Sequence, residues 1–288
     1  MISETVALTK REVKKWLKNP FLLFMMFVQP VIWLGLFGKA FNLSGLISVP
    51  SDLLSQLPPQ LQEQVPILLN QMISETFGGT TDYFTYMAAG MLSVIILFTA
   101  MFSGMSIVWD RRFGFLNKLL VAPISRGSII FAKVASSVIR GMFQALLIFS
   151  IAFAFGLQVG DAFGILDFLG IFAALFLLSL GLSSMFLAIA IRIKRHETVI
   201  AVANLLNLPL MFASNALFPI SQMPKWLQTV ANINPISYAG DAVRAFILHS
   251  NTGFDAAKVA ADFQFLIGFA LILSLAGVLV ARTALRKG

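Results

Sequence analysis

The chain has no cysteine, two histidines and three tyrosines in 288 residues, and only 12% of its residues are charged. Without cysteine there is no disulfide and no thiolate metal site, and cysteine usage gives no redox compartment. The histidines, His196 and His249, stand far apart with no acidic or Cys partner at ligand spacing, so no zinc-type motif is present. A phosphate-binding loop is missing as well: Gly38-Lys39-Ala40 lacks both the upstream Gly and the following Ser or Thr. No apolar run carries the Glu/His set of a buried metal or proton relay, which leaves ion-coupled carriage without its usual embedded carboxylate.

What the chain does have is apolar length. It is 58% hydrophobic with 28 phenylalanines and a mean hydropathy of +0.86, far from a soluble average. Six stretches hold no Asp, Glu, Lys or Arg: 19–38, 83–109, 141–160, 168–191, 198–224 and 263–281. At about 1.5 Å rise per residue even the shortest makes a helix close to the hydrocarbon thickness. The fold class is therefore an all-α polytopic membrane protein with six transmembrane helices.

With the N-terminus placed in the cytoplasm, 17 of the 21 Lys and Arg fall in inner segments, and only Lys39, Lys225, Arg244 and Lys258 fall outside. That bias orients both termini to the cytoplasm in a multi-pass cell-membrane protein. The net charge of +8 is then a property of the cytoplasmic leaflet and calls for no nucleic acid.

Residues 1–18 read as an interface helix, with Val6, Thr9, Val13, Trp16 and Leu17 on one face and Lys10, Lys14, Lys15 and Lys18 mostly off it. Asn19-Pro20 turns the chain into a first span, 19–41. This span is a retained anchor, too long for a signal peptide and without a small-x-small site; Gln29-Pro30 predicts a kink in it. An outer loop, 42–82, is broken by Pro50, Pro58, Pro59 and Pro66. Its last piece is amphipathic through Val65, Leu68, Leu69, Met72, Ile73 and Thr76 and lies on the outer surface or caps the bundle. The second span is 83–109, followed by an inner loop at 110–133, spans at 134–160, 165–191 and 198–218, an outer segment at 219–262 and a last span at 263–282. The outer segment alternates Pro219, Pro224 and Pro235 with apolar residues, a pattern that predicts backbone at or dipping into the outer leaflet.

Polar residues inside the apolar runs mark candidate sites. Asn204, Asn207, Met211 and Asn215 follow helical spacing on the fifth span and form one stripe. Asparagine in hydrocarbon needs a partner, so this face lines a substrate path or hydrogen-bonds between helices. Arg140, two turns beyond Lys133, reaches the inner surface by snorkelling or pairs with Asp110. In the inner loop, residues 112–121 are expected to be helical, with Gly114 permitting close approach, Phe113, Leu116 and Leu120 forming an apolar face and Pro123 fixing the following turn.

Two segments together resemble the type-two ABC transporter permease family, nearest in look to its daunorubicin and multidrug-exporter branch. One is Asp110-Arg111-Arg112-Phe113-Gly114-Phe115-Leu116 running on through Ala122-Pro123-Ile124-Ser125-Arg126, which resembles the family's inner loop; the family often has Glu where Asp110 stands. The other is Leu217-Phe218-Pro219-Ile220, Met223-Pro224-Lys225-Trp226-Leu227, Asn234-Pro235-Ile236-Ser237-Tyr238 and Asp241-Ala242-Val243-Arg244, which resembles the outer signature between the last two spans. The resemblance covers nearly the whole chain as a single transmembrane domain, 1–288. It implies a non-enzymatic exporter subunit moving a hydrophobic or amphipathic solute, as a homodimer or paired permease, with ATP and Mg held by two copies of a separate ATP-binding subunit. It further implies that Asp110, Phe113, Gly114, Leu116, Leu119, Leu120, Pro123 and Arg126 belong to a coupling helix that docks on that subunit. Phe218, Pro219, Pro224, Trp226, Asn234, Pro235, Tyr238, Asp241 and Arg244 would belong to short re-entrant helices closing the exit. Polysaccharide and lipid-linked glycan exporters share this fold, and a secondary transporter or channel acting alone is the alternative from another class.

Overall fold

The computed structural model describes residues 2–40, 54–193, 195–250 and 253–286, and every regular element among them is helical. In chain order these are α1 (Ile2–Leu17), α2 (Pro20–Trp33) continued by a π-helix (Leu34–Ala40), α3 (Pro59–Thr76), α4 (Tyr83–Arg112), α5 (Phe115–Val121), α6 (Arg126–Ala154), α7 (Ile165–Arg192) and α8 (His196–Phe212). A 3-10 turn (Ile220–Gln222), α9 (Lys225–Ala231), α10 (Pro235–Ile247) and α11 (Ala256–Arg286) complete them. Among the described residues, α4, α6, α7 and α11 are each long and apolar enough to cross a membrane. Pro50 and Lys194 lie outside the described residues, as does the side chain of Leu120.

The centre of the bundle is α4, apolar on all sides and buried along most of its length, as expected of a helix surrounded by others. It packs against α6, α7, α8 and α10. Where α4 meets the turn after α8, a Cβ on Gly90 would overlap the backbone of Ala216, so glycine sets how closely the two segments approach. The buried apolar residues divide into two clusters. The larger one runs from Phe84 and Met87 through Leu97 to Leu175, Leu178 and Ile236. The smaller joins Ile107, Val108, Leu116, Ile130, Val134, Leu187, Ile191 and Val199, and gathers the ends of α4 and α7 with the starts of α6 and α8.

Several boundaries differ from those expected. The third span begins eight residues early, at Arg126, because Ser125 caps it by accepting from the Ser128 amide at 3.1 Å. It ends at Ala154, ahead of Gly156, whose φ is +96°. The fifth stops at Phe212 although the apolar run continues to 224, since Asn234 donates to the carbonyls of Leu210 at 2.8 Å and Ala213 at 2.6 Å. The last helix starts at Ala256, before the acidic Asp262. In α2, Pro30 lies within the helix, which rewinds to π geometry at Leu34.

The first helix is also turned differently. It packs along the first half of α6 with Glu12 and Trp16 buried, while Ile2, Val6 and Leu17 stay exposed. Of the expected apolar face, Trp16 alone is buried, and a carboxylate takes the place of a hydrophobe at the centre of the contact. The helix α3 buries only Ile73 and leaves Leu61, Leu68 and Met72 exposed along one side.

Candidate functional site

At one end of the bundle α1, α4 and α6 meet around a lysine. Lys133 on α6 is 3% exposed and pairs with both Asp110, at the end of α4, and Glu12 of α1, the latter at 3.1 Å. Arg11 closes on Glu12 at 3.0 Å and Lys15 lies 3.7 Å from Asp110. Asp110 therefore takes Lys133 as its partner and not Arg140. The Arg140 guanidinium is held instead by the Ser136 carbonyl at 3.0 Å and the Ser103 hydroxyl at 3.1 Å. Removing two carboxylates and an ammonium from water is costly, and the bridging geometry offsets that cost only while every member is present. Glu4 extends the same seam. Its carboxylate accepts from the Ser125 amide at 3.1 Å and the Ser128 hydroxyl at 2.9 Å, and the amide bond foremost holds its pKa below the ordinary 4.5.

The helix α5 hangs from this seam. It begins one turn later than expected, because α4 runs on to Arg112 and Gly114, at φ +70°, reverses the chain between the two. Nothing lies within 4 Å of a Cβ built on Gly114; glycine is needed there for its backbone conformation, not for close approach. The expected apolar face divides. Leu116 and Leu119 are 3% and 7% exposed and join the chain's own core, while Phe113 is 71% exposed and Val121 88% exposed. Pro123 and Arg126 are exposed beyond the helix end. Arg111 fixes the neighbouring turn by donating to the carbonyls of Ile191 at 2.7 Å and Ile193 at 2.9 Å.

The stripe on α8 is not a single surface. Asn204 is exposed, whereas Asn207 and Met211 are buried. Asn207 donates to the Met101 sulfur of α4 at 2.7 Å, and its carbonyl oxygen has no partner among the described residues. Asn215 lies beyond the end of α8, and its amide donates to Asp241 at 2.6 Å. Apart from Asn204, the exposed side of α8 is apolar, formed by Leu205, Leu208 and Phe212.

At the opposite end of the bundle the second motif folds into short helices, α9 and α10. Asn234 caps α10 through the Ile236 amide at 3.0 Å while its own amide holds the end of α8. Pro235 takes the first helical position, where its missing N–H costs nothing. Arg244 is buried, paired with Asp241 at 2.8 Å and donating to the Asn215 carbonyl at 3.0 Å. Tyr238 stacks on Phe265 of α11 with ring centres 3.8 Å apart and donates to the Asn232 carbonyl at 2.6 Å. Pro219 is buried, while Phe218, Pro224 and Trp226 are exposed. Asn234, Asp241 and Arg244 thus form one hydrogen-bonded cluster that ties α10 to the end of α8 and to the turn after it.

Sequence reasoning missed Glu12, hidden among the lysines of a helix read for its apolar face, and Tyr86, which lies inside an apolar run and donates to the Asn215 carbonyl at 2.8 Å. Apart from these clusters, His249 finds Asp167 at 2.7 Å across 82 residues of sequence, a pairing no local spacing announces. The readable signal for Glu12 was a carboxylate in an otherwise basic helix.

The model of one protein family, the ABC-2 type transporter, matches residues 3–248. The ycf38 protein of Porphyra purpurea, named as a transport permease, is 31% identical over 257 residues, 88% of this chain and 77% of its own length. Its namesake in Cyanophora paradoxa is 29% identical over 274 residues, 94% of this chain and 84% of its own. The daunorubicin resistance ABC transporter permease protein DrrB1 of Streptomyces coeruleorubidus is 23% identical over 204 residues, covering 68% and 71%.

Proposed function

We propose that this chain, which belongs to the ABC-2 type transporter family, is the membrane subunit of an ATP-driven exporter. It moves a hydrophobic or amphipathic solute, drug-like or lipid, outward. ATP and Mg sit on a separate ATP-binding subunit present in two copies. The chain contributes no ATPase site and pairs with a second permease, the exposed apolar side of α8 offering a surface for it. Six spans cross the cell membrane, α2 with its π-helical extension and the shorter α8 adding to the four long helices, and both termini are cytoplasmic. Asn204, exposed on α8, faces the solute path with Asn207 and Met211 buried behind it, and α9 with α10 dips back into the outer leaflet to close it.

The observation that carries this reading is the mounting of α5. A helix of seven residues, anchored inward by the buried Leu116 and Leu119 beside the Lys133 ion cluster, offers a fixed lever for a push from outside the chain. Val121 at its end and Phe113 just before it point outward and are left for another protein. The test is co-expression with the ATP-binding subunit, joint purification, and measurement of solute-stimulated ATP hydrolysis in vesicles. Transport by this chain alone, with no ATP-binding subunit retained, would assign it to the carriers or channels instead.

A further inference from the structure

Where α1, α4 and α6 meet, the charges do not balance. Asp110 and Glu12 are matched by Lys133, Arg11 and Lys15 within the cluster, and Arg140 stands two turns further along α6. Arg140 forms no ion pair among the described residues. Its Nε and Nη2 are committed to Ser136 and Ser103, while Nη1 donates to no described residue. A guanidinium carries five N–H donors in a planar fork, so one side of this fork is open.

The surroundings of the open side place it at a membrane boundary. The uncharged stretch 141–160 starts at the residue after Arg140. Phe143, one turn on, meets Trp16 edge to face at 5.6 Å, and α2 enters its apolar run at Pro20. The buried Trp16 thus sets the end of the amphipathic helix α1 level with the start of the apolar run. Beside Arg140, Ile139 and Phe143 expose apolar surface, and so does Leu17, next to Trp16 at the end of α1. A partner for this site must therefore be an anion with a hydrocarbon body.

We infer that Arg140, at the end of α1, binds the phosphate of a phospholipid in the leaflet on the α1 side, preferring acidic over zwitterionic headgroups. The phosphate takes the open edge of the guanidinium, a charge-assisted geometry suited to arginine. The acyl chains lie on Ile139, Phe143 and Leu17. The excess positive charge of the cluster supplies the preference for a net-negative lipid. The bound lipid braces α1 against α6, and so steadies the seam from which α5 is mounted. The inference needs only a membrane-spanning chain, and holds whether or not an ATP-binding subunit is the partner.

The test uses the full chain with Trp33, Trp109 and Trp226 replaced by Phe, leaving Trp16 as the reporter. The protein is reconstituted in phosphatidylcholine vesicles containing brominated phosphatidylglycerol or, in parallel, brominated phosphatidylcholine. The acidic lipid should quench Trp16 more strongly at equal fraction, and Arg140→Gln should reduce that preference about fivefold, the weight of one basic residue at an anionic surface. Equal quenching by the two lipids before any change at Arg140 overturns the inference, and this comparison does not depend on the variant folding. An undiminished preference in Arg140→Gln overturns it too. Loss of the preference on adding inorganic phosphate, but not chloride at the same ionic strength, would assign the site to a soluble anion and overturn the lipid.

Discussion

The guanidinium of Arg244 lies 3.9 Å from the ring centre of Tyr86, and both side chains converge on one backbone group, the carbonyl of Asn215. Tyr86 donates to it at 2.8 Å and Arg244 at 3.0 Å. An α10 cation and an α4 phenol thus hold the turn that follows α8, and the three elements move together or not at all. The two residues differ in weight. Arg244→Ala leaves Asp241 with the Asn215 amide and Lys258 but removes two charge-assisted bonds from a buried guanidinium, and should cost about 3 kcal/mol, whereas Tyr86→Phe removes one hydrogen bond worth about 1 kcal/mol. Thermal unfolding of the two variants in detergent checks the order. Equal losses would show that the pair with Asp241 is not what holds the turn.

Lys133 should be the least replaceable member of the inner cluster. Lys133→Ala removes the one buried counter-charge and leaves the two carboxylates only the half-exposed Arg11 and Lys15, so the loss should reach about 3–5 kcal/mol. Asp110→Asn keeps Glu12 on the ammonium and should lose less. The comparison is made by unfolding midpoints of the two variants. A milder effect at Lys133 than at Asp110 would mean that water replaces the ammonium.

The division of the α5 face gives opposite outcomes for changes two turns apart or less. Leu116→Asp puts a charge into the inner core and should abolish folding, seen as loss of a monodisperse peak on size exclusion. Phe113→Asp and Val121→Asp, on exposed positions, should leave the peak intact and lower retention of the ATP-binding subunit at least about tenfold, since an unpaired charge in an apolar groove costs several kcal/mol. Full retention by both variants would remove these residues from the docking surface.

The Glu4 contact should respond to acid. The carboxylate's folded pKa lies below its unfolded value of 4.5, so its contribution is complete above that value and is lost as pH falls through the depressed folded one. Hydrogen exchange of α1 should therefore speed up below about pH 4.5, and in Glu4→Gln the change should flatten. An identical acid response in both proteins would place the titrating group elsewhere.

Topology can be read with single cysteines, since the chain has none of its own. In sealed right-side-out membranes an impermeant thiol reagent should label Gln60→Cys and Val230→Cys and spare Lys118→Cys. Labelling at position 118 would invert the orientation.

The helices themselves, and the two motifs that stand out from them, were legible in the residues alone. A bilayer thickness is met by one uninterrupted apolar run, and an Asn-Pro or Ser-x-x cap acts over three residues, so both are local quantities. Tyr83–Arg112 and Ile165–Arg192 accordingly fall within three residues of their expected ends. What only the tertiary structure decided are the places where a partner comes from far along the chain. Asn234 ends α8 from more than twenty residues away, by supplying donors for carbonyls that would otherwise have called for another helical turn. Lys133 takes Asp110, and Glu12 turns a basic helix toward the bundle. Leu116 is drawn inward because the ends of α4 and α7 leave an apolar gap there. In each case the deciding interaction is a buried hydrogen bond, ion pair or apolar contact between separate helices, and its energy exists only once they have packed.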